Sequence, residues 1–560
     1  MSVRKTIVSL AAISIFTFLS GCGSSSHTAT APPSGGFTDS NFNGTYVFSF
    51  AGTDITSSNS ADSASFFAAA GALKADGNGN LTGTVDLNDP ELAAALSAKT
   101  NVFTGVAASG TYKVTSDGRG SGSITVSING TNVPLGLDFV LASNSGGLIT
   151  RFDQYGTGSG TLDLQASGIG QSNLVGSYTF GVNGTDSSGN PLGAVGSITL
   201  DSSGNATGTE DLNDNGSSKN LVDLALASPS ALTVGSGASG TLNLSASAGS
   251  LSSLTFDVWV IDATHLKLIE TDANAVLAGD AFVSTGQTAF PSGNLVFTMT
   301  GGNATTAPLA AGGLLTSSGG AITTGLQDAN IGGTIESAPS ITGSYSSTGG
   351  RTDLSLIGIY NIAGGDIASG TFEFAAYPYN GGVELLEIDS AGAGDGVLSG
   401  IAYAQTSTSL AASSGYGLNL TGAYYSSSGS EEVDMIAEFA TDSSGGLSGL
   451  YDVNNEGTLI SDYSLGSGAS YANNSNGRGS ISIPNLQTNS NNSLVGSLGL
   501  TFYTVDSSTA VFIETDASGQ ITTGTLELQS TPSASSSVAR PRVVVTRPLF
   551  RPHSAIGKKN

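Results

Sequence analysis

One glycine-punctuated segment returns four times along this chain, and that recurrence limits the possible folds more than composition does. The first copy runs from Asp76-Gly-Asn-Gly79 through Gly83 to Asp86-Leu-Asn88. The second runs from Asp201-Ser-Ser-Gly204 through Gly208 to Asp211-Leu-Asn213, and the fourth from Asp442-Ser-Ser-Gly445 through Gly449 to Asp452-Val-Asn454. A degenerate third copy keeps Gly319, Gly325, Asp328 and Asn330. The D-x-N aspartates are 125, 117 and 124 residues apart. A period of that length, held three times, means one structural unit repeated in tandem.

Other markers keep the same phase. Each unit opens on an alternating apolar segment: Tyr46-Phe48-Phe50, Tyr178-Phe180-Val182, Leu295-Phe297-Met299 and Tyr416-Leu418-Leu420. Each closes near an acidic pair, Glu270 with Asp272, Glu387 with Asp389 and Glu514 with Asp516; in the first unit Arg151 precedes Asp153. The units are therefore placed at 37–168, 169–286, 287–410 and 411–530.

Within a unit the apolar period is two, as in Ser123-Ile124-Thr125-Val126-Ser127-Ile128 and Thr525-Leu526-Glu527-Leu528. The first unit predicts eight strands, near 45–51, 64–74, 80–88, 108–115, 120–128, 133–142, 146–154 and 159–166. Gly, Asn and Asp separate them, as tight hairpins require. Only Glu91–Lys99 reads as helical, with Leu221–Ala227 its expected counterpart in the second unit. The fold expected is all-β: four tandem repeats of about eight antiparallel strands, each an up-and-down β-barrel, because closure leaves no free edge. A two-sheet β-sandwich is the alternative.

The amino terminus is of another kind. Arg4 and Lys5 precede an apolar run from Ile7 to Leu19, too short for a mature membrane span, which ends in Leu19-Ser20-Gly21-Cys22. This resembles the lipobox of bacterial lipoproteins. The resemblance covers residues 1–22 and implies cleavage of a 1–21 signal peptide and lipidation of Cys22. Several acyl chains, each contributing about 0.8 kcal/mol per buried methylene, would anchor the protein stably. Gly23 in place of Asp points to the outer membrane by the same resemblance. Residues 22–36 read as the lipidated cysteine and a flexible tether. Cys22 is the one cysteine, so no disulfide is expected. Residues 531–560, with three Arg-Pro pairs and no acidic residue, read as a disordered basic tail.

The chain has a net charge of −26, and residues 22–530 alone carry −34. A surface so acidic repels nucleic acid, so no nucleic-acid partner is expected. Asp211-x-Asn213-x-Asn215-Gly216 matches the first half of an EF-hand calcium loop. Asp452, Asn454, Glu456 and Gly457 nearly do so. A bidentate glutamate would complete such a loop at its twelfth position, where Val222 and Tyr463 stand instead. An Asx turn closing a hairpin is the reading preferred. Glu270 with Asp272, and Glu514 with Asp516, invite comparison with a glycosidase pair. Their recurrence in several units, and Arg151 in the first, favours a repeated surface strand ending at a turn. His265 has no copy in the other units and no nucleophile motif beside it. Gly-Arg at 118–119, 350–351 and 477–478 is read as a turn carrying one solubilising charge. No catalytic, cofactor-binding or metal-ligating residue is assigned, no cofactor is expected, and Cys22 alone receives a chemical role.

The function expected is that of an exported, non-enzymatic lipoprotein, held to the membrane through Cys22. Its tandem β-domains would contact a polysaccharide or a surface protein or serve as architecture. A carrier of one small apolar ligand is the alternative, if the barrels are hollow. A glycan-active enzyme ranks third.

Overall fold

The computed structural model describes residues 36–530 apart from 55–64, 215–218, 236, 247–252, 273, 303–307, 364–365, 390–396, 427–428 and 487–495. Cys22, the signal segment, the tether before residue 36, the basic tail, Asn215 and Gly216 lie outside the described residues.

Alternation of large apolar with small polar residues gives each strand one face for a core. In the first unit eight strands result: Asn43–Asp54, Ser65–Asp76, Asn80–Asn88, Val102–Val114, Arg119–Ile128, Thr131–Ser143, Gly146–Asp153 and Gly156–Leu164. Each pairs antiparallel with its neighbour in sequence, and the last pairs with the first, so the sheet is a closed up-and-down barrel. The third unit also closes, through Pro308–Ser318 against Ala321–Ile331. The second and fourth are nine-stranded antiparallel sheets that curl in the same way. Among the described residues their ends meet only at isolated bridges, Asn205 with Ala231 and Leu226 with Ala246 in one, Gly446 with Ser470 in the other. All-β repeats of the barrel kind are therefore what the chain forms, and the sandwich is not.

The motif glycines have a steric reason. A Cβ on Gly83, Gly208 or Gly449 would lie 2.0, 1.9 or 2.0 Å from the carbonyl oxygen of Ala72, Ser197 or Glu438 on the facing strand. The preceding turns are fixed by Asp76, Asp201 and Asp442. Each of these carboxylates accepts backbone N–H bonds from residues two and four positions later.

The interiors are packed. Phe48, Phe50, Phe67 and Phe139 lie inside the first barrel, and Tyr178, Phe180 and Phe256 inside the second. Phe297, Phe372 and Phe374 occupy the third, and Tyr416, Phe439, Tyr451, Phe502 and Phe512 the fourth. Burying such a side chain contributes about 1.5–3 kcal/mol. The alternating apolar residues that open each unit all lie in these interiors.

The expected helix of the first unit exists as Pro90–Ala95, started by the Asp89 carboxylate accepting from the Leu92 N–H. Its expected counterpart at Leu221–Ala227 is not helical: Lys219–Ala225 is a strand. β-Branched Val222 favours extended backbone. Asp223 has a left-handed φ of 53° and gives its N–H to Asp211, a tertiary bond that no helix could make.

The barrels pack in a closed ring. Contacts join the first to the second, the second to the third, the third to the fourth, and the fourth back to the first. Small apolar clusters seal these seams, among them Phe66, Trp259 and Ile269 between barrels one and two. Val140, Leu148 and Ile436 seal barrels one and four.

Candidate functional site

Alternation decides where the D-x-N residues point. Val85, Leu87, Leu212 and Val453 face their barrel cores, so Asp86, Asn88, Asp211, Asn213, Asp452 and Asn454 face outward. They are nonetheless buried, because the next barrel covers them. Each aspartate sits at a register shift in its ladder. Across that bulge a residue in left-handed conformation, Gly105, Asp223, Ala338 or Asp462, gives its N–H to the aspartate.

The asparagine reaches across the seam. Asn88 Nδ2 donates to the carbonyls of Glu270 and Ala275, at 2.9 and 3.0 Å. Asn213 donates to Glu387, and Asn330 to Glu514 and Gln520. Asn454 completes the circle by donating to Arg151, Asp153 and Gly156 of the first barrel. Each D-x-N thus grips the acidic hairpin of the following barrel.

The aspartate is held from the same neighbour. Arg351 binds Asp211 with two N–H donors at 2.8 and 2.9 Å, and Tyr377 adds its hydroxyl at 2.5 Å. Arg478 binds Asp328 in the same two-pronged way, with Tyr503 beside it. Asp452 receives Arg119 at 2.6 Å, but Val140 replaces the tyrosine in the register. In the second barrel Ser239 stands at the arginine's place in the register and Trp259 at the tyrosine's, donating its indole N–H to Asp86 at 2.6 Å. The Gly-Arg arginines are therefore not solubilising charges on turns. They are inter-barrel clamps, with Arg119 and Arg351 buried and Arg478 about a quarter exposed. The Asx-turn reading of D-x-N also needs correction. Asn330 and Asn454 do cap their own hairpins, through Gly333 and Gly457, while their aspartates serve the seam.

The acidic hairpins are not surface strands either. Glu270, Glu387 and Glu514 are buried, and Arg151 takes the same place in the first barrel. Glu387 accepts from Asn361 and Leu398, and Glu514 from Ser518 and Thr522. Apart from the carboxyl of Asp272, neither oxygen of Glu270 has a partner among the described residues; burial, then Asp272, pushes it up to about 10. Asp272, Asp389 and Asp516 instead bind backbone N–H groups of a neighbouring strand. The glutamates end inside the barrel mouths and the aspartates brace turns, so the pairs do not face a cleft as a glycosidase needs. His265 is buried at a hairpin with its Nε2 2.5 Å from Asp280.

Eleven aspartates and seven glutamates are buried among the described residues, so much of the negative charge is internal. What remains outside is hydroxyl-rich. Thr334–Ser340 (TIESAPS), Thr342–Thr348 (TGSYSST) and Ser470–Asn473 (SYAN) are mostly exposed strands with one charge among them.

Fold and seams define a single-chain ring of four tandem all-β barrels, clasped by a repeated D-x-N. No protein-family model matches the chain, and no curated protein matches it. Among solved structures it is similar to intact Ap-TbpB with its N and C lobes. The identity is 9% and the TM-score 0.19, covering 66% of this chain and 77% of that one. A TM-score that low carries no argument.

Proposed function

We propose that this chain is an exported, lipid-anchored interaction module, a non-enzymatic platform that binds a surface polymer or protein through its outer barrel walls. One observation carries the reading: the polar motifs of all four units are spent on holding the ring together, leaving hydroxyl-rich, nearly uncharged strands facing outward. Weak contacts repeated on a rigid ring gain by avidity. The carrier reading requires a hollow barrel, whereas aromatic side chains occupy all four interiors. Cys22 supplies the anchor, most simply in the outer membrane.

Two measurements test this. The delipidated protein is applied to a glycan array and its bound lipids are extracted; glycan binding without retained lipid supports the platform. Retained apolar ligand without glycan or protein binding overturns it in favour of the carrier. Separately, Cys22→Ser is expected to move the protein from the membrane to the soluble fraction of the envelope, and retention in the membrane would refute the lipid anchor.

A further inference from the structure

A cavity of about 340 Å³ opens at the seam between the third and fourth barrels. Small-molecule sites span about 300–1,000 Å³, so it is large enough to hold a ligand. Strands Pro308–Ser318 and Ala321–Ile331 of the third barrel form one wall, and Ser475 and Asn476, in the hairpin ahead of Arg478, form the other. The link between the two barrels lines it through Gln405 and Thr408.

The lining is neutral. It holds no Asp, Glu, Lys, Arg or His, in a chain of net charge −26. A charged ligand would lose hydration here and find no counter-charge. The polar groups are hydroxyls and side-chain amides, and three of the amides are already aimed. Asn294 Oδ1 accepts from the Thr316 hydroxyl at 3.0 Å, which leaves Nδ2 to donate. Asn476 Oδ1 accepts from the Arg478 N–H at 3.1 Å, with the same consequence. Gln405 Nε2 donates to the Asn476 and Thr504 carbonyls at 3.3 and 3.0 Å, which leaves Oε1 to accept. An amide anchored at one end presents the other in a fixed direction, so little rotamer freedom is lost on binding.

Beside these groups lies an apolar patch particular to this seam. Leu314 and Leu326 face each other across adjacent strands next to the motif glycine Gly325, half-buried and outside the barrel core. The same register places hold Ala72 with Thr84 beside Gly83, and Ser197 with Thr209 beside Gly208. Beside Gly449 they hold Glu438 with Leu450. The third unit alone puts two large apolar side chains there.

A matching ligand has an apolar face, a rim of groups that both donate and accept, and no charge. A pyranose ring is built in that way, with C–H bonds on its face and hydroxyls around its edge. We infer that this seam binds a neutral saccharide, its ring on Leu314 and Leu326 and its hydroxyls on Asn294, Gln405 and Asn476. The site rests on the reading of the chain as an interaction module, whose partner it narrows to a neutral sugar.

The full chain, freed of lipid, is screened against neutral gluco-, galacto- and manno-oligosaccharides beside uronic-acid oligosaccharides, and the best neutral probe is titrated by calorimetry. Leu314→Ser with Leu326→Thr, the pair carried by the second unit, is expected to weaken binding roughly tenfold or more. Asn294→Ala with Asn476→Ala, both at exposed positions, should weaken it about tenfold. Thermal melts of each variant establish that the ring is folded at the titration temperature. Preference for the acidic sugars, or neutral-sugar binding that both variants leave intact, overturns the site while the interaction module stands. Binding of no saccharide also overturns the site. A surface protein bound instead would leave the module standing, and a retained apolar ligand with neither would overturn both.

Discussion

At Asp211 two oxygens meet four donors: the Asp223 N–H, two N–H groups of Arg351 and the Tyr377 hydroxyl. Removing one partner from such a buried pair leaves the other charge without solvent, a cost of about 3–5 kcal/mol. Asp211→Ala and Arg351→Ala are each expected to destabilise by that amount in denaturant titration. Lys113→Ala, which breaks an ion pair whose lysine is 71% exposed, should cost less than about 1 kcal/mol. Arg351→Lys should not rescue, because an ammonium cannot reproduce the two-pronged geometry. The left-handed residue at each bulge gives a second comparison at this scale. Gly105→Ala should cost roughly 1 kcal/mol, since its φ of 62° disfavours a Cβ, whereas Ala338→Gly, at 51°, should be neutral or stabilising. Opposite outcomes in thermal melts would show that the bulge is not what sets these angles.

At the scale of the single barrel, the second one holds two carboxyls with no N–H or hydroxyl donor among the described residues. Glu210 and Glu270 are wholly buried, and Glu270 has only the carboxyl of Asp272 beside it. Burial, with Asp211 and Asp272 adding repulsion, pushes them up to about 8 and about 10. A carboxyl raised on folding stabilises the native state while it stays protonated, and that stability is lost as pH rises through the folded value. The second barrel should therefore weaken as pH climbs from the ordinary carboxylate range, with the Glu210 contribution gone by about 8 and that of Glu270 by about 10. Glu270→Gln should recover about 1–3 kcal/mol at the alkaline end and change little in mild acid. Hydrogen exchange resolved by barrel would follow it; an alkaline loss equal in all four barrels would refute the assignment.

The whole molecule closes by a seam that no peptide link supports. Gln529 Nε2 donates to the Asp117 and Leu141 carbonyls of the first barrel, and the Ser530 N–H to Ala142. Gln405 and Thr406 dock in the same way on Thr504 and Val505 of the next barrel in sequence. Acids crowd the closing seam. Around Arg119 stand Asp117, Asp452 and Asp462, with Asp138 and Glu438 buried nearby. Burial, then the neighbouring acids against Arg119, pushes Asp138 and Glu438 up to about 8. The sign is as before: closure is stable below the ordinary carboxylate range and fades as pH rises through about 8. Small-angle scattering should show the ring opening between about pH 6 and 9, and Asp138→Asn with Glu438→Gln should keep it closed. A radius of gyration unchanged in the parent across that range would reject the seam as the weak point.

The repeat count, the strand period, the eight strands of the first unit and the aromatic interiors were all legible in the sequence. Local rules govern them: alternation, turn residues and edge closure act within a few positions. The seams were not legible. Asp211 meets Arg351 across 140 residues, Asp328 meets Arg478 across 150, and Asp452 meets Arg119 across 333. Each separation exceeds one repeat, so a motif and its partner never share a local pattern. Their common phase was visible, and so was the lone tryptophan in the unit that lacks the arginine. Only tertiary structure could show that outward-facing Asp and Asn are covered by another barrel, because burial by a neighbour leaves no periodic trace. The sequence by itself determined four barrels; packing decided that their polar motifs join them into one ring.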